Sequence, residues 1–227
     1  MCCPTNLHRL IQDYLKGRIV KASYGGETCQ RELNQGCPQG SVIGPVLWNV
    51  VYNSLPKFLE GTISSLRENK VNLVMYADDL ILQVSGPSIS LKPSAELLLE
   101  RIDDWGHETG MKFNPLKTEM LEHKKSRDAS VGYIVFKTRD QSFNLFPKEN
   151  INYLGILLDK RLNFKDHLRK AKGKVLTVTS QISSVAGRNW GVNKETMGYL
   201  HMSCIQPIIL YGCEVWAERT TLKSVCR

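Results

Sequence analysis

Val71-Asn72-Leu73-Val74-Met75-Tyr76-Ala77-Asp78-Asp79-Leu80-Ile81-Leu82-Gln83-Val84 is the stretch on which the reading of the whole chain turns. Two apolar runs, Val71 to Met75 and Leu80 to Val84, flank an acidic pair, the pattern of two strands joined by a tight turn. Lifting adjacent carboxylates out of apolar strands is costly in self-repulsion unless cations neutralise them, because like charges a few ångströms apart resist joint ionisation. Phosphoryl transfer uses such an arrangement, with two Mg²⁺ ions about 3.5–4 Å apart holding the attacking and leaving oxygens. Successive strand residues face opposite ways, so one carboxylate of the pair points squarely at such ions, and that role is assigned to Asp78. Asp-Asp is also common in ordinary polar turns, and the tetrapeptide alone leaves both readings open.

Upstream, Gln35-Gly36-Cys37-Pro38-Gln39-Gly40-Ser41-Val42-Ile43-Gly44-Pro45 holds three glycines besides two prolines and leads into an apolar run, Val46 to Leu55. Such a loop lets a ligand approach the backbone and aims a helix N-terminus at it, which suits phosphate or nucleotide contact. A purely structural loop fits the same residues. The run itself reads as a buried helix ended before Pro56.

The remaining elements follow from spacing. Leu7, Leu10, Ile11, Tyr14 and Leu15 predict a helix stopped at Gly17, and residues 18 to 33 a hairpin turning at Gly25-Gly26. Ser94 is expected to cap a helix that turns Leu98, Ile102 and Trp105 inward and closes at Gly110. Tyr133 to Phe136, Phe143 to Phe146 and Ile151 to Leu158 read as three short strands. Phe164, Leu168, Ala171, Val175, Val178, Ile182 and Val185 then form one apolar stripe on a helix from about Asn163 to Gly187. A second helix is expected after Asn193, presenting Met197, Leu200 and Cys204 before Pro207. The boundary is placed near residue 160.

At 227 residues, 42% apolar and 23% charged, the chain is long enough to bury a core as one large domain or two small ones. Its longest apolar stretches fall far short of the roughly 20 residues that span a bilayer, and no signal-peptide pattern opens it, so no membrane partner and an intracellular site are expected. Seven cysteines without a C-x-x-C pair read as reduced thiols, not a zinc site. The net charge of +8 is uneven: residues 1 to 110 hold 10 Lys/Arg and 12 Asp/Glu, the rest 20 and 10. That asymmetry favours a polyanion partner for the second half, or a soluble basic surface. Between Lys160 and Lys174 lie seven Lys/Arg against Asp166 alone, and Lys165, Arg169 and Lys172 fall at i, i+4 and i+7 beside the apolar stripe. One face packs while its neighbour can meet phosphates, which would give salt-dependent affinity without sequence specificity, or simply forms a solvated face.

Gly36-Cys37-Pro38-Gln39-Gly40-Ser41, then Gly44-Pro45-Val46-Leu47-Trp48-Asn49, then Tyr76-Ala77-Asp78-Asp79 closely resemble successive motifs of reverse transcriptases of non-LTR (LINE-like) retrotransposons. Trp48 and the Trp105-Gly106 pair look most like the insect elements that insert into ribosomal RNA genes. Gly110 to Thr118 resembles the next polymerase motif, Ile151 to Asp159 the primer-grip segment, and residues 160 to 217 the thumb and its continuation. The resemblance implies an α+β fold, with a polymerase palm of antiparallel sheet and packed helices over 1–159 and a mostly helical thumb with the start of a C-terminal extension over 160–227. It implies Asp78 as a ligand of catalytic Mg²⁺ (or Mn²⁺) with Asp79 in support, and Lys117 as proton donor to departing pyrophosphate. Pro38, Gln39 and Gly40 would shape the pocket for template base and incoming nucleotide, with Tyr76 beside the primer end. Tyr153, Leu154 and Gly155 would grip the primer, and Lys165, Arg169 and Lys172 would hold nucleic acid. Implied partners are an RNA template, a DNA primer and dNTP, and the implied location is the nucleus.

Family members place a further aspartate, the first metal ligand, on a strand upstream of the Pro-Gln-Gly loop. The matching stretch here starts around Cys3-Pro4-Thr5-Asn6-Leu7, just after that strand, and Asp13 falls within the helix pattern. Fingers and first palm strand are thus expected to be absent, as is the endonuclease domain of intact elements. The chain alone is expected not to polymerise DNA, whether as a fragment or as a decayed copy. The alternative is a noncatalytic nucleic-acid-binding remnant that uses only the basic helix.

Overall fold

The computed structural model describes residues 3–38, 40–123, 130–184 and 191–219. Helices and small sheets are mixed as expected for an α+β chain, but among the described residues the strands form four separate two-stranded sheets, each of consecutive strands, and no larger palm sheet. Two compact units emerge: Met1–Asn114 with Phe136–Ser142, and Pro115–Val135 with Phe143–Arg227. Packing parts the chain near 114/115, with residues 136–142 returning to the first unit.

In the first unit, α1 (Thr5–Leu15) ends at Gly17, whose φ is 62°. Strands β1 (Ile19–Tyr24) and β2 (Glu27–Glu32) pair antiparallel around Gly25 and Gly26, both at positive φ as the two-residue turn requires. The apolar run after the glycine-rich loop divides into α2 (Gly44–Tyr52) and α3 (Ser54–Ser65). Pro56 was expected to end the helix. It sits in the first turn of α3 instead, where its missing N–H has no intrahelical carbonyl to serve. Nor is α2 buried all round, since Val46 and Val50 are exposed while Gly44 and Tyr52 are covered.

Strands β3 (Lys70–Tyr76) and β4 (Asp79–Ser85) form the acidic hairpin in antiparallel register, Leu73 opposite Leu82 and Met75 opposite Leu80. These four turn toward one core, in which Tyr52, Leu55, Leu59, Ile102 and Trp105 are buried. Full burial of side chains such as Leu55 and Leu59 contributes about 1.5–3 kcal/mol each. The long helix α4 (Ser88–Thr109) covers this core with Leu98, Ile102 and Trp105 and closes at Gly110 in the left-handed conformation, as expected. It begins six residues before Ser94, however. Ser94 is an interior residue whose hydroxyl accepts a 2.6 Å hydrogen bond from Asn69, so it binds helix to hairpin and caps nothing. Pro93 is tolerated because the carbonyl it leaves without a partner, that of Ile89, lies in the exposed first turn.

Strand β5 (Ile134–Lys137) pairs with β6 (Ser142–Leu145), near the expected places. In the second unit the expected strand Ile151 to Leu158 is a hairpin, β7 (Asn150–Tyr153) and β8 (Ile156–Asp159), with Tyr153 opposite Ile156. Leu154 and Gly155 take φ of 45° and 82°, and two successive left-handed residues reverse a chain too sharply for one strand to continue. At the end of β8 the buried Asp159 carboxylate accepts from the backbone N–H of Arg161 at 2.9 Å, Asn163 at 3.0 Å and Phe164 at 2.7 Å. That carboxylate holds the entry to α5 (Lys165–Ser184), which is why this hairpin packs with the helices. Phe164, Leu168, Ala171, Val175, Val178 and Ile182 are all buried or half-buried, confirming the stripe; Val185 to Gly187 lie outside the described residues.

Asn193 caps α6 (Lys194–Leu200), its side chain accepting from the Thr196 N–H at 2.8 Å. The chain does not stop before Pro207. A π-helical turn, His201–Ile205, runs into α7 (Gln206–Leu210) with Pro207 in its first turn, where the wider π turn has already broken the regular bonding ladder. After Gly212 comes α8 (Cys213–Trp216).

Candidate active site

Tyr76 pairs with Asp79, so Ala77 and Asp78 form a two-residue turn. Strand alternation puts Leu73, Met75, Leu80 and Leu82 on the core face, which leaves Val74, Tyr76 and Asp79 on the opposite face. Tyr76, Asp78 and Asp79 are exposed. Ala77 has φ of 52°, a left-handed conformation that favours glycine. Its carbonyl accepts a 2.7 Å hydrogen bond from the Trp48 indole N–H of α2.

Trp48 is the first ring of a series that descends into the core. Its ring centre lies 5.8 Å from Tyr52, Tyr52 lies 5.8 Å from Trp105, and Trp105 lies 6.2 Å from Phe113, all tilted. Trp105 in turn donates to the Ser54 hydroxyl at 2.9 Å. The turn is thus anchored to α2 and, through it, to the packed interior. Beside the anchor, Val46, Asn49, Val50, Tyr52, Asn53, Met75 and Ala77 line an open groove of about 440 Å³.

The glycine-rich loop is fastened at its other end. Tyr14 donates to the Ser41 hydroxyl at 2.5 Å, and Arg18 to the Gly36 carbonyl at 2.7 Å. Gly36 and Gly40 take φ of 75° and 84°. Pro38 is half-buried and Gly40 exposed, while Gln39 lies outside the described residues. Loop, α2 and acidic turn therefore share the first unit.

Other expected site residues belong to the second unit. Lys117 is exposed in a turn closed by the Thr118 N–H on the Pro115 carbonyl at 3.2 Å. Tyr153, Leu154 and Gly155 form the tip of the β7–β8 hairpin. The Tyr211 hydroxyl donates to the Leu154 carbonyl at 2.7 Å, and a Cβ on Gly155 would meet the Tyr211 ring at 3.1 Å. Lys165, Arg169 and Lys172 are exposed along α5, where Arg169 also pairs with Asp166. On the packed side of α5, His167 is buried against Trp216, with ring centres 6.2 Å apart. Its Nδ1 accepts from the Leu157 N–H at 3.3 Å. Burial first, then the charges of Lys170 and Lys174, hold its pKa below the ordinary 6.5.

The sequence pattern assigns no supporting role to Trp48, Tyr211, Asp159 or His167. For Trp48 a signal existed: a half-buried polar-tipped ring in a mostly apolar helix needs a partner for its N–H. Carboxylate oxygens of Asp78 and Asp79 are the hard donors that a divalent ion of the Mg²⁺ or Mn²⁺ kind takes. No cluster of three or more His, Cys, Asp or Glu side chains able to hold a metal occurs among the described residues.

A glycine-rich loop, its helix and an acidic hairpin held in one packed unit match the motif order of the reverse transcriptases. The family model described as "Reverse transcriptase (RNA-dependent DNA polymerase)" matches residues 1–158, and the chain belongs to that family. More particularly, its relatives are polymerases of non-LTR retrotransposons of insects. It is 27% identical to the "Retrovirus-related Pol polyprotein from type-1 retrotransposable element R1" of Nasonia vitripennis, over 84% of this chain and 55% of that protein. Identity is also 27% to the "Putative 115 kDa protein in type-1 retrotransposable element R1DM" of Drosophila melanogaster, over 92% of this chain and 19% of that protein. With the "RNA-directed DNA polymerase from mobile element jockey" of Drosophila melanogaster it is 24%, over 94% and 23%. The chain thus spans between about a fifth and about half of these relatives. No solved structure matches it. Among the described residues no helix is long and apolar enough to cross a membrane.

Proposed function

We propose that this chain is the palm and thumb segment of an RNA-directed DNA polymerase that transfers deoxynucleoside monophosphates from dNTP to a primer 3′-hydroxyl on an RNA template. The observation that carries the reading is the solvent-facing Tyr76-Ala77-Asp78-Asp79 turn, anchored by Trp48 to the helix that follows the glycine-rich loop. Asp78 is the metal ligand and Asp79 its support. Once bound, a divalent ion would stabilise the charge that develops on the phosphoryl oxygens. Pro38, Gln39 and Gly40 shape the nucleotide and template pocket, Tyr76 faces the primer end, and Lys117 donates a proton to pyrophosphate. The Tyr153-Leu154-Gly155 turn grips the primer, and the basic face of α5 holds the duplex. Residues 1–159 serve as palm and 160–227 as thumb, the grip hairpin packing with the thumb. The nucleus is the proposed location, where chromosomal DNA primes.

Two adjacent carboxylates on one turn do not complete the ligand set that two ions about 3.5–4 Å apart require. The 227-residue polypeptide alone therefore binds substrate without extending a primer. The test pairs dNTP binding with primer extension on an RNA template. Expected are Mg²⁺-dependent dNTP binding lost in Asp78→Ala, and no extension. Extension abolished by Asp78→Ala would overturn the inactivity. Absence of Mg²⁺-dependent dNTP binding would sink the polymerase reading and leave a nucleic-acid-binding remnant, which the exposed basic face of α5 favours.

A further inference from the structure

We infer that Trp48 is a positioning residue for the acidic turn: its indole N–H holds Ala77 in a left-handed conformation and thereby sets where the Asp78 carboxylate points. The inference rests on Asp78 being a metal ligand, as proposed above.

Ala77 is one of four described non-glycine residues at positive φ, and the only one of them in the acidic hairpin. This region is unfavourable for an L-residue, so the free peptide would relax unless something holds it. Within the turn the means are slight, since Ala77 has no polar side chain and its neighbours Tyr76 and Asp78 are exposed. The hold comes from outside. Trp48 donates to the Ala77 carbonyl at 2.7 Å, a good distance for an N–H···O bond. That carbonyl belongs to the peptide linking Ala77 to Asp78, so fixing it fixes the plane from which the Asp78 side chain departs.

A positioning group must itself be held. Trp48 is half-buried and packs at a tilt against Tyr52, which is buried at 4% exposure and packs at a tilt against Trp105, at 2%. Trp105 is tied to the start of α3 through Ser54. The indole therefore has little freedom to follow the turn if the turn moves. The geometry is repeated in the second unit, where the Tyr211 hydroxyl donates at 2.7 Å to the carbonyl of Leu154, also left-handed at φ 45°. In both units an aromatic donor, from α2 in the first and from the turn after α7 in the second, secures the strained residue of a hairpin tip.

The test replaces Trp48 by benzothienylalanine, which keeps ring size and stacking and lacks the N–H, and separately by Phe. Mn²⁺ affinity of the full 227-residue chain is measured by the electron paramagnetic signal of free Mn²⁺, with Asp78→Asn as reference and thermal melting as a check on folding. Expected is Mn²⁺ binding weakened by about five-fold in the benzothienylalanine protein, the fold-change one ordinary hydrogen bond corresponds to, with its melting temperature close to that of the unmodified chain. In the indole ¹H–¹⁵N spectrum, the resonance missing from Trp48→Phe should shift as Mg²⁺ is added. Asp78→Asn weakening Mn²⁺ binding while benzothienylalanine leaves it unchanged would overturn the positioning role alone. Mn²⁺ binding indifferent to Asp78→Asn would instead overturn the metal site, and this inference with it.

Discussion

His167 shows how a single side chain ties chemistry to the fold. Its Nδ1 accepts the Leu157 N–H, so the ring must be unprotonated there, and burial with Lys170 and Lys174 nearby depresses its pKa. The sign follows directly. In the unfolded chain the ring takes up a proton near pH 6.5, in the folded chain only at lower pH, so stability is complete above 6.5 and is lost as pH falls below it. Thermal melting should therefore drop on acidification from pH 7.5 to 5.5, and His167→Gln should flatten that dependence; equal slopes in both proteins would exclude the role. Gly106, adjacent to Trp105, has a packing reason of the same local kind. A Cβ there would come within 2.6 Å of the Met111 carbonyl, so this helix position admits no side chain. Trp105 and Gly106 drew notice in the sequence as a resemblance, whereas their packing reason is visible only where the chain folds back.

Helix α5 carries the proposed interface with nucleic acid, and its design was largely readable in advance. A stripe stepping by three and four residues had to face a core, and Lys165, Arg169 and Lys172 had to lie beside it. All three are exposed as expected. Replacing them together by Gln should weaken binding of an RNA–DNA duplex and lower the slope of log affinity against log salt by about one for each phosphate no longer neutralised. A fluorescence-anisotropy titration across salt concentrations reads both, and an unchanged slope would mark the face as merely solvated. Less was readable where prolines stood. Pro56, Pro93 and Pro207 each lie in the first or second turn of a helix, where the absent N–H costs little, and the usual reading of proline as a stop failed at 56 and 207. The strand expected at Ile151 to Leu158 failed for another reason: Leu154 is not a turn residue by type, and only the Tyr211 hydroxyl and the following Gly155 make its left-handed conformation tenable.

Across the molecule, acidic turn and basic helix belong to different packed units. Binding of an RNA–DNA duplex should accordingly slow amide hydrogen exchange along the exposed side of α5 and leave the interior of α4 unaffected; protection confined to α4 would contradict the assignment. Such exchange reads local opening and needs no catalytic activity. Hairpins at Gly25-Gly26 and Ala77-Asp78, the inward face of α4 and the stripe of α5 were all carried by local pattern: period two for strands, near 3.6 for helices, glycine where φ is positive. The family, too, was readable, because the chemistry of its loop and turn demands particular residue types in order along the chain. Burial and long-range hydrogen bonds settled what pattern does not encode. Asp159 draws β7–β8 to the helices by accepting three N–H groups beyond its own strand, so that hairpin packs in the same unit as α5. Trp48 reaches 29 residues along the chain to the acidic turn, a meeting that no spacing in either segment announces, because a hydrogen bond between distant residues exists only once packing has brought donor and acceptor together.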